Sequence, residues 1–148
     1  MRVFYLTILI LLTTMKAKSE SLDYLVWGKY CGECVDNCAT MHRIDADTYK
    51  VDTTDSFFAG KPFDYVFKGQ KATKEEWTKH SWVFSIVFPS LKENEVVYGE
   101  PDAYDQCGVY LSYSLNGNPF KVLIDLNNKP EEFKEIISAL FEGRQQSK

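Results

Sequence analysis

The sequence lacks most of the motifs that announce a catalytic site. It holds no nucleophile elbow, no glycine-rich phosphate loop and no paired-carboxylate motif, so hydrolytic and nucleotide-dependent chemistry has no visible framework. It has no second Cys-x2-Cys pair and no His-x3-His, which excludes the zinc-finger pattern. No stretch after residue 12 reaches the roughly 20 apolar residues that a membrane-crossing helix needs. Internal repeats and low-complexity linkers are absent, which leaves one domain as the sensible count. Cations are the scarcer charge, 17 Lys and Arg against 21 Asp and Glu. These absences point away from an enzyme, and nothing calls for a cofactor.

The N-terminal end is different in kind. Arg2 forms a short basic region, and Val3 to Leu12 is apolar except for Thr7. Ala17-Lys18-Ser19 fits the small-x-small pattern of a signal-peptidase site. Residues 1–19 therefore read as a secretory signal peptide, too short in its apolar part to span roughly 30 Å of hydrocarbon. An uncleaved anchor is the alternative. Arg2, Lys16 and Lys18 lie in this segment, so residues 20–148 keep 14 basic residues against 21 acidic ones, a net charge of −7. Such a surface argues against nucleic acid and anionic membrane as partners. The expectation is a single exported domain over 20–148, secreted or periplasmic. It does not insert into a membrane once the signal is cleaved, and it is expected to be a binding or inhibitor-like module for a protein or a small ligand.

Local patterns sketch the fold. Leu22 to Tyr30 reads as a strand, rich in β-forming aromatics. Cys38 to Ile44 alternates, with Thr40, His42 and Ile44 on one side and Ala39, Met41 and Arg43 on the other. Asp45-Ala46-Asp47 suits a turn, and Thr48 to Thr53 returns as a strand. Phe63 to Phe67 could add a short one. Thr73-Lys74-Glu75-Glu76 is a capping box, and the apolar stripe of Trp77, His80, Phe84, Val87 and Phe88 predicts a helix to Phe88, ended by Pro89. Ser81 to Phe88 is apolar all round, so a buried strand competes there. Val109 to Ser114 and Pro119 to Leu126 form a hairpin about Asn116-Gly117. Pro130 and the glutamates after it open a last helix with Phe133, Ile136, Ile137, Leu140 and Phe141 on its inner face. The sum is an α+β domain of order β-β-β-α-β-β-α: an antiparallel sheet of about five strands with two helices on one face.

The chemistry, if any, gathers around the cysteines. Cys31, Cys34 and Cys38 fall within eight residues, His42 follows, and Cys107 stands alone downstream. In an oxidising compartment an even number of cysteines points to structural disulfides, and four cysteines allow three pairings. A bridge from Cys31 or Cys34 to Cys107 would be worth roughly 4 kcal/mol through chain entropy. One disulfide with two reactive thiols is the next reading. A metal could instead use Cys31, Cys34, Cys38 and His42, with Cys107 able to replace the histidine. Taken alone, His42 reads as a half-exposed strand histidine.

Two resemblances attach to these residues. Tyr30-Cys31-Gly32-Glu33-Cys34 after an apolar strand resembles the active-site motif of the thioredoxin superfamily, and Val87-Phe88-Pro89-Ser90-Leu91 is similar to that family's cis-proline segment. The resemblance implies thiol–disulfide exchange, with Cys31 attacking and Cys34 resolving. The chain departs from that family after Cys34, where residues 35–49 make a poor helix and no βαβ alternation follows. Cys-Gly-x-Cys, then Pro-Asp-x-x-Asp-Gln-x-Gly at 101–108, a hairpin and a final amphipathic helix resembles small exported bacterial domains of unknown function. That likeness implies an α+β fold and no activity.

The remaining polar groups have simpler readings. Asp102 and Asp105, with Glu100 nearby, form an acidic loop that could hold a hard cation, but their spacing matches no calcium loop. Glu75, Glu76 and His80 could act as acid–base groups, yet helix capping accounts for both glutamates.

Overall fold

Leu25, Val26, Trp27 and Tyr30 of the first strand are all buried, because that strand lies at the centre of the sheet. The computed structural model describes residues 20–32, 34, 38–54, 65–101 and 106–142. Strand β1 (Leu22–Cys31) pairs antiparallel with β2 (Ala39–Asp45) on one side and with β6 (Cys107–Leu115) on the other. Strand β3 (Tyr49–Asp52) and the two-residue β4 (Gln70–Lys71) extend one edge. Strand β7 (Asn118–Asp125) and β5 (Glu95–Tyr98) extend the other. The order is β4-β3-β2-β1-β6-β7-β5.

The α+β class expected from the sequence holds, but the sheet differs in two ways. It has seven strands, where about five were expected, and it is mixed, because β5 runs parallel to β7. The two additional strands are the edge pieces β4 and β5. Both residues of β4 are exposed and carry no apolar signature. Strand β5 is four residues long, with Val96 and Tyr98 half-buried and Glu95 and Val97 exposed.

The faces of the sheet bury different sets. Leu25, Trp27, Ile44, Tyr49, Leu111 and Tyr113 belong to the larger core, which both helices cover. Val26, Tyr30, Met41, Tyr110 and Leu123 form a smaller cluster on the reverse face, closed by Tyr65 and Phe67. The expected strand at 63–67 falls partly outside the described residues, and Tyr65 to Phe67 form no regular element. Asp52, only 2% exposed, anchors the chain to this reverse face. Burial alone would raise its pKa. The Thr54 hydroxyl and N–H, the Lys68 N–H and the Tyr65 hydroxyl all donate to the carboxylate and hold it down at about 2. Gly28 serves as the close-approach point of β1 and β2. A Cβ there would lie 2.2 Å from the Thr40 carbonyl oxygen and 2.3 Å from Met41 Sδ.

The first helix is shorter than its apolar pattern predicted. Helix α1 (Lys74–His80) starts as the capping box implies, with the Glu76 N–H donating to the Thr73 hydroxyl at 3.3 Å. It then tightens into a 3-10 turn over Ser81–Ser85, and Ile86 is extended. The Ser81 hydroxyl donates to the Thr78 carbonyl and the Ser85 hydroxyl to that of Trp82. Such bonds compete with helical pairing, and Pro89 disfavours the α conformation at Phe88. The tight turn also buries Val83 and Phe88 while Trp82, Phe84 and Ile86 stay only half-buried. A regular helix over this segment would have had apolar side chains on every face.

Helix α2 (Glu131–Phe141) follows its stripe, burying Phe133, Ile136 and Ile137. Pro130 stands one residue earlier than expected, at the N-cap, and Gly143 lies outside the described residues. The β6–β7 hairpin turns through Asn116 (φ 49°) and Gly117 (φ 84°), the positive-φ pair that such tight turns require. The Asp23 carboxylate closes this turn, accepting from the Gly117 N–H at 2.7 Å and the Ser114 hydroxyl at 2.6 Å.

Candidate functional site

The cysteines do not pair within the Cys-x2-Cys motif. Cys31 faces Cys107 directly across β1 and β6 and is bonded to it, 76 positions away in sequence. Cys34 is bonded to Cys38, four positions on. Strand β2 begins at Ala39, immediately after the second bridge, and the Phe88–Pro89 peptide is trans. All four sulfurs are therefore in disulfides. His42 pairs in register with Trp27, four residues from Cys31 and thus about 13 Å along the strand, so the histidine stands apart from the cysteines. Among the described residues no group of three or more His, Cys, Asp or Glu is arranged to hold a metal ion. Asp102 and Asp105 lie outside the described residues.

The polar chemistry of the molecule gathers elsewhere. Both histidines of the chain enter one stack of rings on the helical face of the sheet. Trp27, His42 and Tyr49 come from the adjacent strands β1, β2 and β3, and His80 is the last residue of α1. His42 Nδ1 lies 2.7 Å from the Tyr49 hydroxyl, with the two rings only 17° apart in tilt. The His80 ring lies flat on Tyr49, centroids 4.1 Å apart and planes 9° apart. Trp27 stacks on His42 at 5.1 Å and lies 6.5 Å from His80.

Neighbouring groups set the protonation states. His80 Nδ1 is 2.8 Å from the Glu76 carbonyl, which only accepts, so this nitrogen carries the proton. Burial, reinforced by the charge His80 can carry, pulls the His42 pKa down to about 4. Burial, with the Glu76 carboxylate adding to it, pushes the Tyr49 hydroxyl up to about 12. At neutral pH His42 is thus an uncharged imidazole bonded to an uncharged phenol. Its folded pKa lies below the ordinary 6.5, so its contribution to stability is complete above pH 6.5. The contribution, about 3 kcal/mol, is lost as pH falls towards 4.

A cleft of about 420 Å3 opens beside this stack, between the β2–β3 turn and the start of α1. Tyr49 and Trp77 are its aromatic walls, Ala46 and Asp47 come from the turn, and Lys71 and Lys74 are exposed at its mouth. The Trp77 indole N–H donates to the Asp45 carbonyl at 2.9 Å and ties the helix to the turn. The turn itself is braced by the Asp45 carboxylate. It accepts from the Thr48 N–H at 2.8 Å, the Thr48 hydroxyl at 2.9 Å and the Asp47 N–H at 3.2 Å. A second cleft of the same volume lies between Ile86-Val87 and the Glu131, Glu132 and Glu135 edge of α2.

No protein-family model matches the chain, and no curated protein or solved structure does either. The function is argued from the site alone.

Sequence reasoning singled out His42, His80 and Glu76 separately, and the structure brings the three into one neighbourhood. It missed Trp27, Tyr49 and Trp77. Strand alternation did place Tyr49 on a defined face, and the helical stripe did contain Trp77. Which strands sit side by side, and in what register, decides the rest.

Proposed function

We propose that this chain is an exported, disulfide-stabilised binding module that takes a small ligand, or a side chain of a protein partner, in the cleft between the β2–β3 turn and α1. The observation that carries the reading is the pairing of two aromatic walls, Tyr49 and Trp77, with cationic groups at the mouth, Lys71 and Lys74. Aromatic walls supply apolar contact, and a few placed polar groups orient the ligand. The two lysines favour an anionic group on an otherwise planar or apolar ligand. Their charge stands out on a chain of net charge −4.

The test is a titration followed by 1H–15N NMR, with benzoate as the anionic aromatic probe and benzylamine as its cationic counterpart. Benzoate is expected to shift the Trp77 indole N–H and the amides of residues 46–49 saturably in the millimolar range. Benzylamine should shift them less, and the double change Lys71→Glu, Lys74→Glu should abolish the benzoate response. Absence of a saturable shift at Trp77 with either probe, or shifts confined to Val87 and α2, would remove the proposal.

Export is the second part of the proposal. It is supported by the basic, apolar and small-x-small segments of residues 1–19. Two disulfides call for an oxidising compartment in any case. Intact mass measurement of the protein recovered from an oxidising compartment should give a chain beginning at Glu20. A chain that retains Met1 would instead indicate an uncleaved anchor.

A further inference from the structure

We infer that the stack of Trp27, His42, Tyr49 and His80 is an acid-released latch, which holds α1 over the cleft at neutral pH and lets it lift when His42 takes up a proton. The inference rests on the cleft being the binding site and adds the means by which that site opens.

The latch is visible in how little else holds the helix. Helix α1 has seven residues and none of them is buried. Among the described residues its side chains tie it to the sheet through the His80 ring, lying on Tyr49 and beside Trp27, and through the Trp77 indole N–H on the Asp45 carbonyl; the Ala72 N–H, on the Tyr49 carbonyl, and the buried Val83 hold the segments on either side of it. The half-buried Trp77 side chain adds packing against the core. A short helix with few buried contacts lies at the low end of local stability. By contrast β1, β2 and β6 carry most of the buried apolar side chains of the sheet.

Protonation acts beside the His80–Tyr49 link, because His42 is bonded to the same Tyr49. His42 is half-buried, with the Trp27 ring against it and the Tyr49 hydroxyl on Nδ1. The titratable and charged groups facing it are His80 and Glu76 from α1, Tyr49 from β3, and Lys29 from β1, one strand pair further along. The Glu76 carboxylate is engaged by Lys79 at 3.2 Å, and Lys29 Nζ lies 5.0 Å over the Phe141 ring. Among the described residues neither histidine forms an ion pair with a carboxylate. A proton on His42 therefore places a charge in a partly dry stack, beside a second ring that can also become cationic. Lifting α1 relieves both costs together: it hydrates His42 and moves His80 away, and the sheet stays intact. It also carries Thr73, Lys74 and Trp77 out of the cleft, so one wall of the site is lost. A ligand held at neutral pH is then released in acid.

The size of the effect follows from linkage. With His42 at about 4 when the helix is closed and at most its ordinary 6.5 when it is lifted, since the Trp27 ring still lies against it, opening becomes up to about 60-fold more favourable between pH 7 and pH 4.5. Hydrogen exchange of the intact, unliganded protein at a series of pH values from 7 to 4.5 tests this, after correction for intrinsic exchange rates. The reporters are the Ser81 amide, which donates to the Trp77 carbonyl, and the Trp77 indole N–H. The amides of Leu25 and Leu111 in the sheet are the reference. Protection at the reporters is expected to fall at least tenfold relative to the reference, with a midpoint that follows the His42 titration seen in its imidazole resonances. In His42→Gln this difference between the two pH values should vanish. Equal loss at Leu25 and Leu111 would mean global acid unfolding and would overturn the latch. So would unchanged reporter protection, or an opening midpoint unrelated to the His42 titration. The last criterion needs no variant, so it decides the matter even where His42→Gln does not fold. No ligand is present in any arm, so a failed benzoate titration and a failed latch are separate results.

Discussion

Replacing Cys31 and Cys107 together by serine is expected to lower the stability by about 4 kcal/mol, whereas replacing Cys34 and Cys38 together should cost about 2 kcal/mol. The difference comes from what each bridge forbids in the unfolded chain. Cys31 and Cys107 are 76 positions apart, so their bond removes the conformations of a long loop; Cys34 and Cys38 are four apart and remove few. In the folded state the long bridge joins residues that already face each other across β1 and β6. The pairing continues past them through the Gly32 N–H and the Gln106 carbonyl at 3.2 Å. The bridge therefore fastens the two central strands at the end where β1 leaves the sheet. Urea denaturation of the two double variants at neutral pH measures both losses. Equal losses would contradict the loop-length account. The binding cleft lies between the β2–β3 turn and α1, so the Cys34–Cys38 variant should keep its benzoate response.

The cysteines also show where a single sequence stops being legible. Cys31-Gly32-Glu33-Cys34 has the local look of a redox motif, and nothing within those four residues says that Cys31 is bonded to Cys107. That information lies in the β1–β6 register, a property of two segments far apart in the chain. The same division runs through the fold. The Thr73 cap, the Asn116-Gly117 turn, the α2 stripe and the side on which His42 stands each depend on residues within one or two turns of one another, and each was readable. Strand β4 was not, because two exposed polar residues carry no pattern, and its pairing with β3 is decided by where β3 already lies. Ser81 to Phe88 failed for a third reason. Its apolar residues satisfy two periodicities at once, and the choice fell to two serine hydroxyls and a proline. The ring stack combines these cases. Alternation placed His42 and Tyr49 on defined sides of their strands, but only the order β3-β2-β1 sets Tyr49, His42 and Trp27 next to one another.

Trp27→Ala is expected to cost about 4 kcal/mol and to change the chemistry of the site along with its stability. Trp27 is 4% exposed at the middle of the central strand, opposite Leu111 on one side and His42 on the other. Removing the indole deletes a large buried surface and leaves a cavity that a central strand cannot collapse to fill. It also takes away the ring that shields His42 and touches Tyr49 at 6.2 Å and His80 at 6.5 Å. Water entering that space weakens the burial that depresses His42, so its pKa should rise from about 4 towards 6.5. The two readouts are a urea unfolding curve and an NMR titration of the imidazole protons. Trp27→Phe separates their causes. A phenyl ring keeps most of the apolar contact, so its loss of stability should stay near 1–2 kcal/mol, and enough shielding remains to hold His42 below its ordinary value. If His42 titrates near 4 in the alanine variant as well, its depression does not come from the stack. The indole would then be a core residue only, with no part in keeping His42 neutral. With the expected rise, the indole is a core residue and part of the latch at once, because the same desolvation that stabilises the centre of the sheet keeps His42 neutral against Tyr49.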